Sequence, residues 1–94
     1  MLMERFKPLE SERFRKDRKR AKELGLDFSS LKWTIEQLAL DVPLPPIQGD
    51  RQLQGIIKRF RECRIGESVD WLLVYEKRAI GMILYLAGIR KSQR

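Results

Sequence analysis

Histidine is absent from this chain, and that absence narrows its chemistry more than any residue it contains. Histidine is the side chain whose unperturbed charge change falls near neutral pH, and it is the commonest metal ligand. Proton transfer must therefore rest on carboxylates, lysine, tyrosine or the single cysteine, Cys63. One cysteine permits no disulfide within the chain, which fits a reducing cytoplasm. Cys63 lies inside an apolar strand-forming run, a setting for a small buried side chain rather than a nucleophile. Asp70 is better placed: it heads the run Trp71-Leu72-Leu73-Val74-Tyr75, at a strand end beside the surface. A functional carboxylate suits that position, and so does an aspartate that only ends a turn. The chain has no phosphate-binding glycine loop, no cysteine cluster for zinc and no internal repeat.

Charge supplies the next constraint. Twenty Lys and Arg against thirteen Asp and Glu give a net charge of +7 on 94 residues. Such an excess on one small domain favours an anionic partner: nucleic acid, an acidic protein or a membrane surface. It is densest between residues 13 and 22, where Arg15, Lys16 and Lys19 stand among further basic residues. A solvated helix face accounts for part of that run; the size of the positive excess points to a basic ridge for an anionic partner. With 43% hydrophobic and 35% charged residues the composition is globular. The length suits one domain, residues 1–94, with one modest core. Glu4, Arg5 and Lys7 interrupt any apolar leader, and the longest apolar stretch, Met82 to Ile89, is too short to span a membrane. The expectation is a cytoplasmic protein with no membrane partner.

The elements that position these groups follow from pattern. Phe60 to Ile65 and Asp70 to Tyr75 read as paired strands around the short polar loop Gly66-Glu67-Ser68. The second run is apolar on both alternating faces, which predicts a central strand covered on both sides. A first strand is expected within Met1 to Leu9, where Pro8 marks an edge position or the strand's end. Ser11 caps a first helix that runs to Leu24 and stops at Gly25, with Phe14, Ala21 and Leu24 as its apolar stripe. Asp27 caps a second, Phe28 to Leu40, whose Phe28, Leu31, Ile35 and Leu38 share one face. Trp33 lies off that stripe. Pro43, Pro45 and Pro46 make Asp41 to Gly55 a stiff connection. A last strand, Ile80 to Ala87, follows a turn at Lys77-Arg78 and leaves a basic tail. The expected fold is α+β: two N-terminal helices packed on one face of a four-stranded, mostly antiparallel sheet in the order β-α-α-β-β-β.

The same stretches resemble the RelE/ParE toxin superfamily, and within it the YafQ-like branch. Phe60-Arg61-Glu62-Cys63 and Asp70-Trp71-Leu72-Leu73-Val74-Tyr75 match two strand motifs of that branch, and Leu53 with Gly55 fits its Pro-Leu-x-Gly element. Phe14-Arg15-Lys16-Asp17-Arg18-Lys19-Arg20 is similar to its basic first helix. The resemblance implies a RelE-like fold and a type II toxin, a ribosome-dependent mRNA endoribonuclease that inhibits translation and is neutralised by a cognate antitoxin. No cofactor and no metal are expected. Histidine in the branch pattern follows the loop aspartate, follows Phe-Arg-Glu-Cys and stands near the C-terminus; these places are Arg51, Arg64 and Arg90 here. An arginine of the pattern is Leu86, and its terminal phenylalanine is Arg94.

Cleavage of this type makes the ribose 2′-OH attack the adjacent 3′ phosphate. It needs a base, cations for the developing charge, and an acid for the 5′ oxygen. Arginine serves the second need and not the others, because it stays protonated. The resemblance therefore assigns charge stabilisation to Arg51, Arg64 and Arg90, and leaves Asp70, Lys91, Lys58 and Tyr85 as proton handlers. Its expected RNA contacts are Arg15, Lys16, Lys19, Lys58 and Arg61, with Trp71 as a stacking platform or a core residue. Three readings follow: an RNA-cutting toxin working through arginine and lysine, a catalytically silent relative that still binds antitoxin, RNA or ribosome, and a ParE-like gyrase poison.

Overall fold

The computed structural model describes residues 3–68 and 70–92. The expected start of the first strand at Met1 and Leu2, and the terminal Arg94, lie outside them. Strand β1 (Lys7–Glu10) leads into helices α1 (Glu12–Glu23) and α2 (Phe28–Ala39). Strands β2 (Arg51–Gln52), β3 (Arg61–Arg64), β4 (Trp71–Arg78) and β5 (Ile83–Lys91) follow, with 3-10 turns at Pro46–Gln48 and Gly55–Ile57.

Both helices start where the sequence places their caps. The Ser11 hydroxyl accepts from the Phe14 N–H at 2.9 Å, and Asp27 accepts from the Ser29 N–H at 3.1 Å. Ser11 also donates to the Ala87 carbonyl at 3.0 Å, so the same cap ties α1 to β5. Phe14 and Ala21 of α1, with Leu31 and Leu38 of α2, bury against Cys63, Leu73, Tyr75, Leu84 and Leu86 of the sheet and Ile65 just past β3. Each large apolar side chain so buried contributes about 1.5–3 kcal/mol. Two members of the expected stripes differ: Leu24 and Phe28 are 58% and 48% exposed, and Thr34 faces inward instead. Leu24 lies past the end of α1, while Phe28 begins α2 beside the Lys22 ammonium, 4.8 Å from its ring centre.

The sheet has five strands in the order β1-β5-β4-β3-β2. β1 runs parallel to β5 and the other pairings are antiparallel. The fifth strand, beyond the four expected, is the two-residue β2. The prolines preceding it bar a helix, but past Gly49 the chain reaches β3 and pairs Arg51 with Glu62 and Gln52 with Arg61. β4 is central as expected. It is covered on one face only: Trp71, Leu73 and Tyr75 are buried under the helices, whereas Leu72 and Val74 are half-buried on the opposite face.

The last strand is displaced from its expected span. β4 continues through Arg78, and the chain reverses at residues 79–82, where Gly81 and Met82 adopt φ of 81° and 50°. Glycine takes such angles without the Cβ strain that other residues incur. Arg90 and Lys91, expected in a tail, are therefore hydrogen-bonded strand residues opposite Leu72 and Trp71. Among the described residues, no helix is long and apolar enough to cross a membrane.

Candidate functional site

Alternation along β3 sends Cys63 into the core and turns Glu62 and Arg64 to the face without helices. Cross-strand register then builds two rows on that face. Arg64, Leu72 and Arg90 lie opposite one another across β3, β4 and β5, and Glu62 lies between Arg51 of β2 and Val74 of β4. With strands about 4.8 Å apart, the backbones of Arg64 and Arg90 are separated by about 10 Å.

Glu62 is the centre of this face. Its side chain is 2% exposed although it lies away from the helical core, because two guanidiniums cover it. Oε1 accepts from Arg51 Nε and Nη2 at 3.1 and 2.6 Å, and Oε2 accepts from Arg90 Nε and Nη2 at the same distances. Burial pushes the carboxyl up, but the hydrogen bonds and charges of Arg51 and Arg90 outweigh it and hold Glu62 below the ordinary carboxylate range. Each arginine engages Glu62 through Nε and Nη2 and keeps an outer N–H edge, with Arg51 and Arg90 side chains 68% and 47% exposed. Arg64 donates Nη1 to the Ile47 carbonyl at 3.0 Å. Three guanidiniums against one carboxylate leave the face positive and rich in donors.

A second carboxylate fixes the loop that carries Arg51. Asp50 accepts from the buried Tyr75 hydroxyl and, at 3.2 Å, from Arg61 Nε. Burial, then the Asp50 hydrogen bond and charge, push the Tyr75 hydroxyl up, so it is an anchor rather than an acid. Burial, followed by the Asp50 and Glu62 charges, raises the Cys63 thiol to about 12.

The remaining sequence-derived candidates are dispersed. Asp70 is exposed one residue before β4; its N–H donates to Ser68 Oγ at 3.1 Å and its carbonyl accepts from Ser92 N–H at 2.7 Å. Lys91 sits 5.3 Å over the Trp71 ring, and Trp71 is only 9% exposed within the core cluster. Tyr85 packs under the Arg78 guanidinium at 4.2 Å, away from the arginine rows. Lys58 is exposed after the second 3-10 turn. On α1, Lys16 pairs with Glu12 at 3.3 Å, Arg15 donates to the Glu10 carbonyl at 3.0 Å, and Lys19 is exposed. α1 approaches the arginines through Arg13 and Asp17, which line a small cleft with Val74, Gly88 and Arg90. Gly88 makes that approach possible, since a Cβ there would meet the Asp17 carboxylate at 2.9 Å.

Glu62 was the residue that pattern reading passed over. Its signal was a charged residue in mid-strand, between Arg61 and the inward-facing Cys63, with Arg64 two positions on.

Known proteins agree with this architecture. The family described as the bacterial toxin of type II toxin-antitoxin system, YafQ, matches residues 6–91. The crystal structure of YafQ from E. coli strain BL21(DE3) superposes with a TM-score of 0.82 at 26% identity, over 93% of each chain. YafQ in the E. coli DinJ-YafQ complex gives 0.80 at 26% identity, over 92% of each. A metal-bound toxin from Helicobacter pylori gives 0.83 at 32% identity, over 92% of this chain and 93% of that one. Among curated proteins, none matches the chain in sequence. With the family covering nearly the whole chain and the fold shared with its solved members, this chain belongs to the YafQ family of bacterial type II toxin–antitoxin toxins.

Proposed function

We propose that the chain is a ribosome-dependent mRNA endoribonuclease that grips the scissile phosphate with Arg51, Arg64 and Arg90 and is neutralised by an acidic antitoxin. The supporting observation is the pair of arginine forks on Glu62, which holds two guanidiniums side by side with their outer edges presented to a ligand. Such an arrangement stabilises the charge that develops on phosphorus when the 2′-OH attacks. Glu62, held ionised with both oxygens occupied, is not the base. Asp70, exposed one residue before β4 and in alternation with Leu72, is the proton handler left to this face, whereas Lys91 lies over Trp71 on the helix-covered side and is not positioned for it. A site without histidine works more slowly, since a general acid or base contributes about 10²–10⁴ in rate.

The E. coli relative is solved in complex with DinJ. For this chain the net charge of +7 calls for an antitoxin with an acidic segment, and association faster at low salt. The test is a purified translation system with a defined mRNA, the 5′ ends of fragments being mapped by primer extension. Cleavage that needs ribosomes and stops on adding the antitoxin is the expected result. The absence of histidine favours one other reading, a silent homologue that binds without cutting; ribosome binding with an intact message would establish it and overturn the nuclease.

A further inference from the structure

Strand β5 outruns its neighbour. β1 pairs with it only as far as Glu10 and Leu86, so beyond Leu86 the outer edge of β5 has no strand partner among the described residues. Helix α1 takes that place. Its cap Ser11 donates to the Ala87 carbonyl at 3.0 Å, and Asp17 Oδ2 accepts from the Ile89 N–H at 3.0 Å. Gly88 lets the helix come this close, since a Cβ there would also meet Arg13 Cγ at 3.6 Å. The other carboxylate oxygen, Oδ1, accepts from Arg13 Nε at 3.3 Å. That bond leaves the two terminal nitrogens of Arg13 for a ligand, on a side chain 80% exposed. An i,i+4 pair on a free helix surface holds an arginine only weakly. Here the carboxylate is itself tied to the strand edge, which fixes where Arg13 is held.

Register puts Arg13 at the end of a row that already carries the arginine forks. Arg51, Glu62, Val74 and Gly88 are successive cross-strand partners from β2 to β5, over about 14 Å. Arg51 stands at one end, and Arg13 stands past Gly88 at the other, lining one cleft with Val74, Gly88 and Arg90. Each end therefore holds a guanidinium set by a carboxylate: Arg51 by Glu62, Arg13 by Asp17. Between them the floor is Val74 and Gly88, neither of which raises a long side chain.

We infer that Arg13 binds a second phosphate of the RNA strand, next to the one held by Arg51 and Arg90, so that the strand crosses the sheet along this row. The inference rests on the RNA-cleaving reading for its substrate. Regularly repeated negative charge is the property of a nucleic-acid backbone, and contacts to it set the register of the strand on the protein. Gly88, beside Arg13, and Arg90 are two residues apart on β5, about 7 Å by the rise of a strand. Arg15 and Lys19 do not reach this row: each lies two positions from Asp17, and at 3.6 residues per turn it faces the other side of α1. Asp17 acts as a positioning residue, through Arg13.

The test uses 2′-O-methyl oligonucleotides, which lack the attacking hydroxyl: a dinucleotide with one phosphodiester and a trinucleotide with two, titrated into the purified chain at low salt by calorimetry. R13A should weaken trinucleotide binding about threefold to tenfold and leave the dinucleotide unchanged. Its slope of log affinity against log salt for the trinucleotide should fall by about 0.7. K32A, which removes the same charge from α2, should change neither. Trinucleotide binding by R13A equal to that of the natural chain, equal weakening of both oligonucleotides, or a K32A effect as large as that of R13A would each overturn the second phosphate site. So would an R13A variant that loses affinity for a short glutamate peptide but keeps the trinucleotide, which would give Arg13 to an acidic protein instead. A chain that shows the R13A effect but cuts no message overturns the nuclease and leaves the site; one that cuts, with R13A binding both oligonucleotides normally, overturns the site alone.

Discussion

Arg90 lays its fork on Oε2 of Glu62, through Nε at 3.1 Å and Nη2 at 2.6 Å, and so spans β4 to reach a carboxylate on β3. Arg51 does the same to Oε1 from the sheet edge. Glu62 therefore sets the positions of two cations at once. Replacing it with glutamine turns one oxygen into an amide whose N–H groups point at guanidinium N–H groups. E62Q should lower stability by about 1–3 kcal/mol in urea unfolding. It should also reduce RNA cleavage more than R51A or R90A alone, because both arginines lose their setting.

Lowering pH tests the same carboxylate. Its folded-state pKa lies below the unfolded value, so its contribution is present above the usual glutamate range. That contribution is lost as pH falls through the depressed folded value. Thermal unfolding of the natural chain should weaken below about pH 4.5. E62Q should show a shallower acid slope, and equal slopes would show that Glu62 carries no such linkage.

Phosphate contact by the arginines is read in salt dependence. R51A, R64A and R90A should each weaken RNA binding and flatten the slope of log affinity against log salt by about one contact, near 0.7 for a single strand. Unchanged slopes in all three would remove the arginines from the RNA path.

Adding a titratable group probes the missing proton handlers. Arg64 donates to the Ile47 carbonyl and not to Glu62, so R64H leaves the Glu62 forks intact. R64H should raise cleavage of ribosome-bound message and give it a pH dependence centred near 6.5, the unperturbed histidine value. Loss of cleavage in R64H, with RNA still bound, would show that the arginine itself does the chemistry.

Cys63 gives an independent check on the core. Burial raises its thiol to about 12, so the native protein at pH 8 should resist a disulfide reagent such as DTNB, while the unfolded protein reacts fully. The sign also predicts alkaline behaviour: a raised thiol favours folding below the unfolded value near 9, and that part of stability fades as pH rises toward 12. Rapid labelling of the native protein would contradict the burial of Cys63.

Local chemistry was legible in the sequence wherever a few adjacent residues settle it. Ser11 and Asp27 mark helix starts because each side chain caps N–H groups two or three residues on. The apolar run at Trp71 to Tyr75 could belong only to the middle of a sheet, and the strand motifs carried the resemblance that the family match bears out. The end of β4 was misplaced because nothing at Lys77-Arg78 marks a continuing strand; the reversal depends on positive φ at Gly81 and Met82. That shift moved Arg90 from a tail into β5 and set its backbone opposite Leu72.

The sequence by itself determined that the chain has arginine in place of histidine, that its cysteine lies in a strand, and that its charge is strongly positive. Only the tertiary structure decided that Arg51 and Arg90 share Glu62. Alternation along a strand tells which face a side chain takes, but its cross-strand partner depends on register. Register is fixed by turns and bulges such as the irregularity at Val74/Tyr75, which act over the whole sheet and leave little trace in any one segment.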